Sequence, residues 1–168
     1  MGVKGHKKTA PKKIRIGIVT ASTTRSLKED ESGIWMAKQA KKEKQEIVYH
    51  RVVPDMAESI TGAVQEAMAT HGAQVILVTG GTGITDKDVS IEAIAPLFTK
   101  QLTAFGPLFA QLSYEQIDSA AIMSRAVAGV VNSQAVVFCM PGSLKACKLA
   151  CKALIFPELG HLVKHLGG

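Results

Sequence analysis

Apolar runs of strand length alternate along the chain with segments whose apolar residues recur at helical spacing. The strand-like runs cover residues 14–20, 46–53, 74–79, 126–131 and 135–140. The helix-like segments cover residues 33–44, 57–70, 91–99, 105–117, 144–156 and 157–166. Strands that alternate with helices predict an α/β fold built on a mostly parallel sheet.

The last two strand-like runs are separated only by a short polar turn that contains Asn132 and Ser133. A turn of this length joins antiparallel neighbours, whereas parallel strands need a longer crossover. We therefore predict a three-layer α/β sandwich: a mostly parallel central sheet with one antiparallel strand, and helices on both faces.

The chain has 168 residues, of which 46% are hydrophobic, a length and composition that suit one folded domain. We assign residues 14–168 to that domain. No apolar run approaches the roughly 20 residues needed to span a bilayer, and the N-terminus lacks the apolar region of a secretory signal. These features predict a cytoplasmic protein.

The formal net charge of +6 is concentrated at one end of the chain. Five lysines and no acidic residue lie in residues 1–13, so the remainder carries a net charge of +1. A basic tail on a nearly neutral domain predicts a disordered, solvated arm rather than a nucleic-acid-binding surface.

Three cysteines, Cys139, Cys147 and Cys151, form an odd set in a chain with no secretory signal, which argues against a disulfide framework. The second and third are four residues apart on a predicted helix, but no histidine or further cysteine pair completes a zinc pattern. We expect all three to be small buried hydrophobic residues.

The stretch from Val75 to Ala93 contains the strongest candidate site, because a buried strand runs directly into a glycine-rich loop. The sequence Gly80-Gly81-Thr82-Gly83 matches neither a Walker loop nor a dinucleotide fingerprint. It still permits backbone N–H groups to approach a phosphate or a heterocycle closely. Asp86 or Asp88, a few residues later, could hold a magnesium ion that bridges phosphates. Ser90 is the predicted N-cap of the next helix.

Other polar residues follow the remaining predicted parallel strands. Asp55 comes after Pro54 at the end of residues 46–53 and has two possible roles, as an N-cap for the next helix or as a site residue beside the crevice. Ser22 lies in a hydroxyl-rich loop after the first strand, where a polar or anionic ligand is one reading and ordinary loop polarity the other.

Several motifs, in order, resemble the MoaB/MogA family of molybdenum-cofactor biosynthesis proteins, which includes the gephyrin G domain. They are Val53-Pro54-Asp55, T-G-G-T-G-I-T-D-K-D-V at 79–89, L-S-Y-E-Q-I at 112–117, M-S-R-A-V-A-G at 123–129 and M-P-G-S at 140–143. The resemblance spans residues 14–166 and is strongest to the MoaB branch.

The resemblance implies transfer of an adenylyl group from Mg-ATP to the terminal phosphate of molybdopterin, with release of pyrophosphate. It implies catalytic roles for Asp55, Asp88 and Ser124, and magnesium binding by Asp88. The substrate-binding residues that it implies, together with the Ser22 loop, are Ser22, Gly80, Gly81, Thr82, Gly83, Arg125, Pro141, Gly142 and Ser143. Within the resemblance, the planar fork of Arg125 suits phosphate recognition. Without the resemblance, Arg125 would be interpreted as a surface ion pair.

The chain departs from the family at Pro107, where a glutamate is usual. This departure motivates an alternative, a non-catalytic molybdopterin-binding protein. A further alternative is a pyrophosphatase acting on ADP-ribose-like nucleotides, as in competence/damage-inducible proteins of the same fold. The resemblance also implies a homo-oligomer, with a hexamer made of two trimers favoured over a trimer, and no nucleic-acid or membrane partner.

Overall fold

The computed structural model describes residues 13–166, so the predicted basic tail lies outside the described residues except for Lys13. The ammonium group of Lys13 is 3.5 Å from the carboxylate of Glu46. Within residues 13–166, no helix combines the length and the apolar character needed to cross a membrane.

The described part of the chain contains a single six-stranded sheet. Its strands are β1 (Arg15–Ala21), β2 (Glu46–Val53), β3 (Val75–Thr79), β4 (Lys100–Gln101), β5 (Val127–Val131) and β6 (Ala135–Met140). Their order across the sheet is β2-β1-β3-β6-β5-β4. Strands β2, β1, β3 and β6 are mutually parallel, while β5 pairs antiparallel with both β6 and β4. The predicted mostly parallel sheet with one antiparallel strand is confirmed.

Helices cover both faces of this sheet. They are α1 (Glu31–Lys42), α2 (Ala57–Ala69), α3 (Ser90–Ile94), α4 (Phe105–Ile117), α5 (Leu144–Ala150) and α6 (Leu159–Leu166). One core contains buried residues of α1, α4, α5 and α6, and the other contains those of α2 and α3. The predicted three-layer sandwich is therefore confirmed.

The central strand β3 shows why apolar runs were visible in the sequence. Val75 and Leu77 belong to one core, Ile76 and Val78 to the other, and all four are fully buried. Because successive side chains of a strand point to opposite faces, a strand covered on both sides is apolar at every position.

Strand β4 was not predicted, because its two residues, Lys100 and Gln101, are exposed and carry no strand pattern. Its pairing with Gly129 and Val130 of β5 extends the sheet by one short edge strand. The β5–β6 turn was predicted correctly, and Asn132 and Ser133 adopt positive φ angles of 51° and 55° there.

Two predicted helices were too long. The helix predicted over residues 91–99 is the short α3 followed by a 3-10 turn at Ala95–Leu97, where Pro96 supplies no backbone donor. The helix predicted over residues 144–156 ends its α-helical part at Ala150 and continues as a π turn, Cys151–Ile155.

The three cysteines are free and buried, as expected for small hydrophobic residues. Burial raises the pKa of Cys139 to about 12, so its thiol is uncharged at neutral pH. Burial also raises the pKa of Cys147 and Cys151.

Candidate functional site

The loops that follow β1, β2, β3 and β6 meet at the carboxyl edge of the sheet and surround a pocket of about 400 Å³. Its lining is formed by Ala21, Ser22, Thr24, Arg25, Asp55, Gly80, Gly81, Thr82, Gly83, Asp88, Ala120, Met123, Ser124, Pro141 and Gly142. Ligands of open α/β sheets bind at this edge, so the pocket is the candidate site.

The glycine loop needs glycine at its first position. Gly80 has a φ of +89°, and a Cβ there would lie 2.4 Å from the backbone oxygen of Ala21. The amide of Gly80 donates to the carbonyl of Met140 at 3.1 Å. The backbone can therefore cross from β3 between the ends of β1 and β6 only because no side chain intervenes.

Asp88 lines the pocket and is held by its own loop. Its Oδ2 accepts hydrogen bonds from the Thr85 amide at 3.0 Å and the Thr85 hydroxyl at 2.6 Å. These bonds, chiefly the hydroxyl, hold the pKa of Asp88 below its ordinary value of 3.8. Asp88 is therefore ionised at neutral pH and presents a negative charge to the pocket.

Asp86, the other carboxylate of this loop, is exposed and lies outside the pocket lining. The hydrogen bonds that close this turn are made by Asp88 and not by Asp86. One carboxylate thus both closes the turn and faces the pocket.

Asp55 faces the glycine loop from the end of β2. Its Oδ2 accepts hydrogen bonds from the amide and the hydroxyl of Thr23, both at 2.9 Å. Of the two roles considered for Asp55, the N-cap role is wrong, because Met56 is the N-cap of α2 and no side chain caps that helix. The carboxylate of Asp55 instead binds Thr23, on the loop after β1.

Ser124 lines the pocket, whereas Arg125 lies outside its lining. The guanidinium of Arg125 meets Glu92, with Nη1 2.6 Å from Oε1 and Nη2 3.3 Å from Oε2. Its Nε donates to the carbonyl of Thr82 at 3.0 Å. The structure thus places the predicted phosphate-binding arginine in an ion pair beside the pocket.

The loop after β6 divides between two pockets. Pro141 and Gly142 line the main pocket, and Ser143 is the N-cap of α5, where its hydroxyl accepts from the Ala146 amide at 3.2 Å. Ser143 lies outside the main lining and contributes to a smaller adjoining pocket of about 110 Å³ that shares Ser124 and Pro141.

The structure adds residues to the site that the sequence did not single out. Thr24 and Arg25 line the pocket from the loop after β1, and Arg25 is the one cationic side chain among the described residues of that lining. The hydroxyl-rich character of this loop was the available signal. Ala120 and Met123 also line the pocket. Met123 begins one of the family motifs but was given no site role, and Ala120 lies in none of those motifs.

The loop after β1 is anchored at its far end by Asp30, which is fully buried. Its carboxylate contacts the hydroxyl of Thr20 at 2.7 Å, His50 Nε2 at 2.8 Å and the amide of Gly33 at 3.0 Å. Burial acts to raise the pKa of Asp30, but hydrogen bonds from His50, Gly33 and Thr20 hold it below its ordinary value. This aspartate caps α1 and fixes where the loop ends.

Behind the glycine loop, Ser90 is fully buried, and its hydroxyl is the one buried side-chain oxygen or nitrogen of residues 13–166 without a hydrogen-bond partner. Its predicted capping role is wrong, because Ser90 is the first residue of α3 and Val89 is the N-cap. Its amide donates to the carbonyl of Gly81 at 2.9 Å, which ties the helix to the loop.

The carboxylates of the pocket could supply some of the ligands of a metal ion, but not a complete set. Within residues 13–166, no group of three or more His, Cys, Asp or Glu side chains could hold a metal. The pocket provides two carboxylates, Asp55 and Asp88. Magnesium in phosphate-binding sites commonly takes one or two carboxylates and completes its coordination with substrate phosphates and waters.

Comparison with known proteins places this geometry in a family. A family model described as a probable molybdopterin binding domain matches residues 17–161. The chain is 44% identical over 167 residues to molybdenum cofactor biosynthesis protein B of Bacillus subtilis (strain 168), an alignment that covers 99% of this chain and 98% of that protein. It is 41% identical over 170 residues to the molybdopterin adenylyltransferase of Pyrococcus furiosus, with 98% of each chain covered.

A solved structure agrees with the sequence relatives. The crystal structure of a molybdenum cofactor biosynthesis protein B superposes on this chain with a TM-score of 0.90 at 42% identity, and the match covers 95% of this chain and 99% of that one. Since the fold, the family model and these relatives agree over nearly the whole length, the chain belongs to the family of probable molybdopterin binding domains that contains the MoaB-type molybdenum-cofactor biosynthesis proteins.

Proposed function

We propose that this protein is a molybdopterin adenylyltransferase of molybdenum-cofactor biosynthesis, which transfers AMP from Mg-ATP to the terminal phosphate of molybdopterin and releases pyrophosphate. The observation that carries the proposal is the pairing of Asp55 and Asp88 in one glycine-lined pocket, in a chain 41% identical to a molybdopterin adenylyltransferase. The reaction forms a bond between a molybdopterin phosphate oxygen and the α-phosphorus of ATP. The bond from that phosphorus to the pyrophosphate oxygen breaks.

The glycine loop gives this reaction a surface that phosphates can approach. Gly80 to Gly83 line the pocket with backbone and a single buried side chain, Thr82, so a charged substrate can lie against the peptide groups. Pro141 and Gly142 form the neighbouring wall, and Ser22 and Ser124 add hydroxyl groups. In phosphoryl transfer such positioning supplies most of the catalysis.

Asp88 would hold magnesium, and Asp55 would lie opposite Asp88 across the pocket. The lowered pKa of Asp88 keeps it ionised at neutral pH, as a metal ligand must be. Bound magnesium would supply neutralisation of the phosphate charge. The cationic side chain of Arg25, on the loop after β1, is placed to attract the same anionic substrates.

Pyrophosphate release tests the activity directly. Purified protein mixed with molybdopterin, ATP and magnesium should release pyrophosphate, and Asp88→Ala and Asp55→Ala should each lower that rate by at least about 100-fold. The matched control is Asp86→Ala, which removes an exposed carboxylate of the same loop outside the lining. That variant should keep the wild-type rate.

The alternative of a non-catalytic molybdopterin-binding protein was motivated by Pro107. This residue is exposed in the first turn of α4 and lies outside the main pocket lining, which favours the enzyme. A wild-type protein that binds molybdopterin but releases no pyrophosphate would establish the alternative instead. Release of nucleotide from ADP-ribose without any pterin would indicate the pyrophosphatase.

We also propose a homo-oligomer, a hexamer in preference to a trimer. The preference for a hexamer rests on the resemblance to the MoaB branch, and the support for an assembly is a set of exposed apolar side chains on α4 and on the 3-10 segment Asp118–Met123 that follows it. The set comprises Leu108, Tyr114, Ile117, Ile122 and Met123, of which Ile122 is 91% exposed. Apolar surface of this kind marks subunit contacts in many proteins. Sedimentation that shows only monomer at micromolar concentration would exclude the assembly.

A further inference from the structure

The best-defined polar contact beside the pocket that the proposed chemistry does not use is the ion pair between Glu92 and Arg125. Two nitrogens of the guanidinium contact the two carboxylate oxygens, at 2.6 and 3.3 Å. The third, Nε, donates to the carbonyl of Thr82 at 3.0 Å. One arginine therefore joins α3, the glycine loop and the segment that contains Ser124.

The hydrogen bond from Arg125 to the Thr82 carbonyl constrains the orientation of a whole peptide unit. A peptide unit is planar, so the carbonyl of Thr82 and the amide of Gly83 lie in one plane and point in opposite directions. Gly83 lies directly against the carboxylate of Asp88, since a Cβ built on Gly83 would be 2.7 Å from Asp88 Oδ2. Arg125 holds one end of this peptide unit and Gly83 packs against Asp88 at the other, so the orientation of the plane couples the two side chains.

We propose that Glu92 and Arg125 are positioning residues for adenylyl transfer, which act through the Thr82–Gly83 peptide unit to orient the carboxylate of Asp88 in the pocket. Glu92 holds the guanidinium by its two terminal nitrogens and so turns Nε toward the loop. This inference rests on the proposed function, since it assigns roles within that reaction, but its structural part can be measured without the reaction.

If the ion pair served only to stabilise the fold, its removal would lower the unfolding temperature. The side chains of Arg125 and Glu92 are 35% and 55% exposed, and pairs with this exposure contribute little to stability because water and salt screen them. Their removal should leave the unfolding temperature nearly unchanged. An effect on turnover would then require that the pair matters for geometry rather than for folding.

The role that the family resemblance implies, direct phosphate binding by Arg125, makes the opposite prediction for Glu92. If Arg125 must leave Glu92 to bind a phosphate, Glu92→Gln should free the guanidinium and lower the KM for ATP. If the pair positions Asp88, the same substitution should lower kcat by about tenfold and leave the KM for ATP within about twofold, because substrate contacts are unchanged.

The kinetic test therefore uses Glu92→Gln, Arg125→Lys and the control Glu58→Gln. Lysine cannot replace the planar fork, so Arg125→Lys should lower kcat at least as much as Glu92→Gln. Glu58 is an exposed glutamate in the first turn of α2, as Glu92 is in the first turn of α3, and it lies outside the pocket. Glu58→Gln should match wild type. A lower KM in Glu92→Gln, or unchanged kcat in both test variants, would overturn the proposal.

NMR of the ligand-free protein separates this proposal from the proposed function. Because the hydrogen bond to the Thr82 carbonyl is weakened, Arg125→Lys and Glu92→Gln should shift the amide resonance of Gly83 and the carboxyl-carbon resonance of Asp88, while resonances of α2 keep their wild-type positions. Unchanged Gly83 and Asp88 resonances in both variants would overturn the positioning role even if adenylyl transfer is established. Absence of pyrophosphate release from wild type, with these shifts present, would overturn only the reaction.

Discussion

The two carboxylates of the pocket are held in different ways. Asp88 accepts two hydrogen bonds from Thr85, three residues earlier, so its turn is local in the chain. Asp55 accepts from Thr23, which is 32 residues away on a different loop. The pocket wall that contains the glycine loop and Asp88 is thus held mainly by bonds between residues close together in the chain. The facing wall, which contains Thr23 and Asp55, forms only after β1 and β2 pair.

This difference has a functional consequence. The turn that holds Asp88 depends only on residues that are neighbours in the chain. The hydrogen bond between Thr23 and Asp55 depends on the register of two strands. Changes within the glycine loop should therefore act on Asp88 with little effect elsewhere. Changes where the walls meet should disturb the whole edge of the sheet.

The largest effect is expected where the two walls touch, at Gly80. Gly80→Ala places a Cβ 2.4 Å from the oxygen of Ala21 in a residue with a φ of +89°, so the end of β1 must move. We expect the free energy of unfolding to fall by about 3 kcal/mol. Urea denaturation measures this change.

The matched control is Gly62→Ala, because Gly62 lies in α2 and a Cβ there would meet no atom within 4 Å. Alanine at this position should raise the free energy of unfolding by about 0.5–1 kcal/mol. Equal and small changes in the two variants would show that the walls do not meet at Gly80 as described.

An intermediate effect is expected at Thr85. Thr85→Val removes the hydroxyl bond to Asp88, so the pKa of Asp88 should rise toward 3.8, as measured by NMR titration of its carboxyl carbon. A carboxyl group whose pKa is lower in the folded state than in the unfolded state stabilises the folded state at pH values above its unfolded-state pKa. This stabilisation is lost as pH falls through the folded-state pKa. The stability deficit of the variant should therefore be present at neutral pH and disappear as pH falls through the lowered pKa of Asp88 in the wild-type protein.

Thr23→Val is the counterpart on the facing wall. It removes the hydroxyl bond to Asp55 and should leave the Asp88 titration where it is in wild type. A shift of the Asp88 pKa in this variant would mean that the two walls are coupled and that the local description of the glycine loop is wrong.

The smallest effect is expected at Ser90, behind the loop. Its hydroxyl is buried without a partner, and such a group costs the folded state about 1–3 kcal/mol. Ser90→Ala removes that cost but also leaves a small void, so thermal unfolding should show an unchanged or slightly raised free energy of unfolding. A loss of more than about 1 kcal/mol would show that the hydroxyl has a partner in solution.

Individual elements show how far the sequence could predict this fold. Strand β3 was predictable because burial on both faces makes every position apolar. Strand β4 was not, because Lys100 and Gln101 are exposed, and only the nearby strand β5 makes them part of a sheet. The end of α3 was misplaced by several residues, since the shift to a 3-10 turn at Ala95–Leu97 lies within one helical pattern.

The candidate site divides in the same way. Ten of the residues singled out in the sequence line the pocket: Ser22, Asp55, Gly80, Gly81, Thr82, Gly83, Asp88, Ser124, Pro141 and Gly142. They could be found because each follows a strand or belongs to a motif. Ala120 could not, because it belongs to no motif and lines the pocket only by its place in the fold. Met123 belongs to a motif, but its apolar side chain indicated no role in the site.

The sequence by itself determined the alternation of strands and helices, the glycine turn after β3 and the local bonding of Asp88, because these depend on residues close together in the chain. Only the tertiary structure decided that Asp55 binds Thr23 rather than capping α2, and that Arg125 pairs with Glu92 while holding Thr82. In both cases one side chain had two possible partners. The packing of distant segments made the choice, because it brought one of those partners within hydrogen-bonding distance.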